Sequence, residues 1–134
     1  MEAIENIIKL LSAQLAGIKG IYLYGSRAIG WERPDSDYDI AVLSEYPHQL
    51  KPKEAFELAV EVGESIHGTV DLVDLRAVPL DLCFEVVARG ERMYCSDRYY
   101  CDKYEMTVIS MYQRFELERK ELVEAYKKRI LSNV

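Results

Sequence analysis

Apolar positions recur along this chain with two different periods, and the changes of period mark its elements. Ile4, Ile7, Ile8, Leu11 and Leu15 follow the three-and-four spacing of one helix face, and Gly17 with Gly20 is expected to close that helix. Ile21 to Tyr24 is a continuous apolar run, short enough for a buried strand. Residues 26–30 suit one helical turn, with Ser26 as its N-cap and Gly30 at its end. The Arg-Pro-Asp-Ser stretch from Arg33 to Ser36 reads as a turn, and Asp37 to Leu43 as the second strand. After Pro47 and Pro52, a helix over about Lys53 to Ile66 takes Ala55, Phe56, Ala59, Val60, Val62 and Ile66 as its apolar positions. His67-Gly68 breaks it, and Thr69 to Leu75 is the third strand. Pro79 suits the first turn of a helix running to about Arg89, and a short extended piece covers Arg92 to Cys95 beyond Gly90. From Asp97 the pattern predicts one long helix, with Tyr104, Val108, Met111, Phe115, Leu122, Tyr126 and Ile130 near one stripe. Strands alternating with helices make the class α/β, with three or four strands in one small mixed sheet and helices packed against it.

Composition narrows the classes. A length of 134 residues fits a single domain over 1–134, and 49% apolar with 30% charged residues is the balance of a soluble globular protein. No apolar run approaches about 18 residues, so no membrane span is expected. The start, Met-Glu-Ala-Ile-Glu, lacks the basic flank of a signal peptide. Cys83, Cys95 and Cys101 are odd in number and have no metal-type spacing, and His48 and His67 are the sole histidines. Reduced thiols in the cytoplasm are the expectation, not a zinc site. A net charge of −6 argues against direct binding of a nucleic-acid backbone, which normally needs a basic face. A nucleotide delivered with magnesium, or a basic protein partner, remains compatible with it.

Chemistry concentrates between the first two strands. Gly25-Ser26, ten intervening positions and Asp37-Tyr38-Asp39 bridge the end of one apolar run and the start of the next. Acids two apart on a strand point to one face, and paired carboxylates are costly unless a cation sits between them. Glycine at 25 permits a sharp turn and close ligand approach. The free N–H groups after it, with the Ser26 hydroxyl, form an anion site. Asp37 and Asp39 are oxygen donors suited to Mg²⁺, so the two halves together hold a nucleoside triphosphate and its metals for in-line attack at phosphorus. A third acid is wanted. Asp71 and Asp74, three apart on the third strand, face opposite sides of the sheet, so only one can join. If Val70 and Leu72 face the core helices, Asp71 lies on the other face with Val73.

This arrangement resembles the polymerase-β-type nucleotidyltransferase superfamily, whose signature is Gly-Ser, ten residues, Asp-x-Asp. The fuller pattern is similar to the minimal nucleotidyltransferase (MNT) family: YLYGSRA, RPDSDYDIAVL, VDLVDL and EVVARGERMYCSD, over about residues 18–97, with a C-terminal helix over about 98–132. The resemblance implies the nucleotidyltransferase fold and favours Asp71 over Asp74 as the third carboxylate. It implies that Asp37 and Asp39 coordinate two Mg²⁺ ions, while Asp71 binds one and helps deprotonate the attacking hydroxyl. ATP is the implied donor. The implied partner is a helical HEPN-type ribonuclease toxin, neutralised when this antitoxin transfers AMP to one of its tyrosines. A tyrosine hydroxyl, with its pKa near 10, benefits from activation by a metal and a carboxylate. A small-molecule, antibiotic-modifying nucleotidyltransferase is the alternative enzyme, and an antitoxin that neutralises by binding alone is the non-catalytic alternative.

Arg27 follows the Gly-Ser pair and is a candidate for contacting the triphosphate, or equally for pairing with a local acid. Trp31 is expected to pack under its own loop, and His48 and His67 to be solvated. The charge alternation of the last helix reads as an exposed face.

Overall fold

A computed structural model describes residues 2–133. The chain runs α1 (Glu2–Gln14), β1 (Ile18–Tyr24), a 3₁₀ turn (Gly25–Arg27), β2 (Tyr38–Ser44), α2 (Pro52–Ile66), β3 (Val70–Asp74), α3 (Leu80–Arg89), β4 (Glu91–Cys95) and α4 (Arg98–Ser132). The strands form one sheet in the order β3-β2-β1-β4. β1 is antiparallel to both its neighbours, and β2 and β3 are parallel because α2 carries the chain back between them. This is the mixed four-stranded sheet with a long last helix that the sequence pattern predicts.

Each face of the sheet has its own core. On one face Ile21, Leu23, Ile40, Val42, Val70 and Leu72 meet Ile7 and Leu11 of α1 and Leu58 and Val62 of α2. On the other, Tyr22, Tyr24, Ala41 and Leu43 meet Cys83 and Val86 of α3 and Cys101 and Val108 of α4. Burying each large side chain stabilises the fold by about 1.5–3 kcal/mol. The central strands are apolar on both sides for this reason, which is why they read as continuous runs.

Three details depart from the sequence pattern. Gly20 does not close α1: the helix ends at Gln14, and Gly20 lies inside β1. A Cβ there would stand 3.1 Å from the Cys101 sulfur and 3.1 Å from the Tyr22 ring, so glycine lets α4 press close onto the strand. On α2, Leu58 joins the buried face, while Phe56 and Val60 turn outward. On α4, the stripe is buried only near its start. Cys101 and Val108 are covered, the Tyr112 ring stacks on Phe84 at 3.9 Å between centroids, and residues 113–133 are all exposed. Met111, Phe115, Leu122, Tyr126 and Ile130 therefore lie outside the core.

The start of α4 is held by polar bonds. Asp97 caps it by accepting from the Tyr100 N–H, and Glu105 accepts from the Tyr22 hydroxyl at 2.9 Å and from Arg92 at 2.8 Å. Burial, followed by that bond to Glu105, pushes the Tyr22 hydroxyl well above its ordinary pKa. Cys83, Cys95 and Cys101 are free thiols, and His48 and His67 are exposed. Among the described residues no helix is long and apolar enough to cross a membrane.

Candidate active site

Strand register assembles the acids. Antiparallel pairing sets Tyr24 opposite Asp39, and parallel pairing sets Asp39 opposite Asp71. Side chains directly opposite share a face, so these three line up across β1, β2 and β3. Asp37, two residues ahead of Asp39, adds to the same face from just outside β2. The electrostatics report the same grouping. Burial raises the Asp39 carboxyl above its usual range, and the Asp71 and Asp37 charges raise it further. The Tyr24 hydroxyl is pushed up to about 12 by burial, then by Asp71 and Asp39.

Gly25 closes the site from the other side. Its φ is +74°, and a Cβ there would fall 2.1 Å from Asp39 Oδ2, so the backbone after β1 lies directly against that carboxylate. Ser26 sits half-buried within the 3₁₀ turn and is not its N-cap: Tyr24 holds that position, and no side chain caps the turn. Ala28 N–H bonds the Gly25 carbonyl at 3.1 Å and Trp31 N–H the Ser26 carbonyl at 2.9 Å, which coils the chain beside Asp39.

The third-strand acids have different surroundings. Asp71 is exposed beside Asp39. Asp74 is 3% exposed, and its two oxygens accept from the Leu50 and Arg76 N–H groups at 2.7 and 2.8 Å. Asp74 thus anchors the loop into α2 and the turn after β3. Val70 and Leu72 are in the core against α1 and α2, which leaves Asp71 on the face shared with Asp39.

Of the two roles expected of Arg27, pairing with a local acid is not found among the described residues. Its Nε and Nη2 donate to the Ser36 carbonyl at 3.0 and 2.8 Å, and the guanidinium lies 3.9 Å from the centroid of the Tyr38 ring. It clamps the loop that delivers Asp37, with a stacking contact of about 0.5–2 kcal/mol. Trp31 is 80% exposed and does not pack under its loop; Gly30, at φ +80°, turns the chain just before it. Tyr24 was not among the candidate residues. The signal available for it was its place immediately before Gly25-Ser26, which an antiparallel hairpin sets against Asp39.

The donors Asp37, Asp39 and Asp71 are all hard carboxylate oxygens, the chemistry that suits Mg²⁺. They are near enough to perturb Asp39, yet among the described residues no three His, Cys, Asp or Glu side chains already converge as a metal-holding group. Like-charge repulsion opposes that convergence until a cation offsets it.

Residues 5–99 match the family described as polymerase beta, nucleotidyltransferase, and the chain belongs to that family. It is 35% identical over 120 residues to the protein adenylyltransferase MntA of Shewanella oneidensis, covering 90% of this chain and 84% of that protein. A crystal structure of a toxin–antitoxin with AMP-PNP aligns with a TM-score of 0.80 and 34% identity, over 90% of this chain and 95% of the other. A structure of the tri-AMPylated Shewanella oneidensis HEPN toxin with its MNT antitoxin aligns at 0.76 with 32% identity, over 92% and 94% of the chains.

Proposed function

We propose that this chain is the antitoxin of a two-protein system and transfers AMP from ATP to a tyrosine of a HEPN-type ribonuclease partner. The observation that carries the reading is the Asp39–Asp71 register pair, with Asp37 beside it and Gly25 packed against Asp39, in a chain similar over most of its length to an adenylyltransferase. ATP as donor places the reaction inside the cell.

Asp37, Asp39 and Asp71 would hold Mg²⁺. When bound, the metal neutralises the phosphate charge and lowers the pKa of the attacking hydroxyl. The N–H groups after Gly25 and the Ser26 hydroxyl hold the triphosphate at the mouth of the turn. Arg27 fixes the loop so that Asp37 stays beside Asp39. Asp71, exposed at the rim, takes the proton of the incoming tyrosine hydroxyl. That oxygen then bonds to the α-phosphorus, the bond from phosphorus to the α,β-bridging oxygen breaks, and pyrophosphate leaves with its electron pair. Tyr24, buried beside Asp39 in the same row, stays neutral.

The test is neutralisation in cells that express the partner nuclease. The wild-type chain is expected to restore growth, and an Asp37→Ala/Asp39→Ala variant at equal level to lose most of that protection. Equal protection by the double variant would instead establish an antitoxin that acts by binding alone.

A further inference from the structure

The two edges of the sheet are finished differently. At one edge β4 is tied to α4, because Arg92 bonds the Asp102 and Glu105 carboxylates, each at 2.8 Å. At the other edge β3 pairs with β2 and with no second strand among the described residues. Its end bonds to β2 run from Tyr38 N–H to the Thr69 carbonyl and from Leu75 N–H to the Val42 carbonyl. Alternation along the strand therefore turns the N–H and C=O of Val70 and Leu72 and the N–H of Asp74 outward, while the Asp74 carbonyl accepts from Ala77 N–H at 2.9 Å. Exposed edges are commonly blunted by lysine, proline or a bulge. Val70–Asp74 contains neither lysine nor proline, and its register with β2 is regular throughout.

A groove of about 990 Å³ runs along this edge between β3 and α2. Its outer wall includes Phe56, 70% exposed, and Val60, 46% exposed, the two apolar residues that α2 turns away from the core. Its charged lining is Asp37, Glu64, Asp71 and Asp74, with no lysine or arginine among the described residues. Glu54, Glu57 and Glu61 are also exposed on α2, against one exposed cation of that helix, Lys53 in its first turn. The groove thus combines an unpaired strand edge, an apolar wall and a one-signed field, and it reaches the carboxylates of the candidate active site. A second copy of this chain, at net charge −6, would be repelled from it.

We propose that this edge receives an extended, basic segment of the acceptor protein. The segment adds to β3 as a further strand, seats apolar side chains on Phe56 and Val60, and so brings its tyrosine hydroxyl to Asp71. Backbone pairing supplies general affinity, while the apolar wall and the acidic field select the segment. This rests on the proposed transfer to a tyrosine, which it deepens by naming the acceptor's route.

The probes are fluorescent copolymers of lysine with tyrosine and of glutamate with tyrosine, matched in length, added to the full chain with and without Mg²⁺-ATP. The lysine copolymer is expected to bind at least about tenfold tighter and to slow hydrogen exchange at the Val70, Leu72 and Asp74 amides. A Phe56→Ser/Val60→Ser variant is expected to bind it about tenfold more weakly, with Mg²⁺-ATP binding unchanged. Both side chains are exposed, so this variant should fold normally. Unchanged exchange at those three amides, or wild-type copolymer affinity in the variant, overturns the docking edge. Failure of the wild-type chain to bind Mg²⁺-ATP would instead strike at the donor-site reading, so the two failures are distinguishable.

Discussion

Replacing Asp39 by asparagine is expected to abolish transfer while raising the melting temperature of the metal-free protein. The two effects share one cause. Asp39 stands opposite Asp71 and two residues from Asp37, and both charges, added to burial, raise its pKa. A raised carboxyl keeps its proton in the folded state at pH values where the unfolded chain, near pH 4, has released it. The folded state therefore binds more protons across that window, and stability falls as pH rises from the unfolded pKa through the folded one. Above the window the charged carboxylate is a standing cost, which the neutral amide removes. The variant's thermal advantage should thus be small at about pH 4 and grow to a few degrees at neutral pH, on a scale of about 4 °C per kcal/mol. Mg²⁺ should reverse the order by stabilising the wild type alone. Transfer should drop by at least about 10³-fold, as for loss of a preorganised charge partner at phosphorus. Calorimetry with and without Mg²⁺ checks the first effect and single-turnover transfer the second. A variant less stable than wild type without metal would contradict the like-charge cluster.

Gly25→Ala is expected to lower activity and stability together, the opposite stability sign to Asp39→Asn. At φ +74° an L side chain is strained by about 1–2 kcal/mol before any contact is considered. The new methyl would also fall 2.1 Å from Asp39 Oδ2 and 3.0 Å from its Cγ, so the carboxylate must move. A shift of about 1 Å in a reacting constellation costs about 10²-fold in rate. The expected result is a melting temperature lower by several degrees and a turnover lower by about two orders of magnitude. Wild-type turnover in this variant would mean that the Gly25–Asp39 approach has no part in catalysis.

How much of this was legible in the sequence depended on the range of each signal. Gly25, Ser26, Asp37 and Asp39 stand out because a turn and an i, i+2 pair are local patterns. Choosing between Asp71 and Asp74 needed the face of β3, which follows from the parallel pairing through α2 and not from the strand's own residues. Tyr24 was hidden for the same reason: its neighbour Asp39 is fifteen positions away by sequence but directly opposite by register. The closure of Arg27 onto the Ser36 carbonyl cannot be read from spacing either. Hydrophobic periodicity marked the apolar positions of α2 and α4 without saying what they pack against. Phe56 and Val60, counted among the apolar positions of α2, therefore proved to be surface, as are Phe115 and Leu122 on the stripe of α4.

The most direct measurement is isotopic. Wild-type chain, Mg²⁺ and the partner nuclease are incubated in parallel with ATP labelled at the α- or the γ-phosphorus, and the partner's tyrosines are then analysed. Transfer of AMP predicts α-label on a partner tyrosine, release of the γ-label with pyrophosphate, and neither event with the Asp37→Ala/Asp39→Ala variant. Label from the γ-position on the partner, or α-label that persists in the double variant, would contradict it.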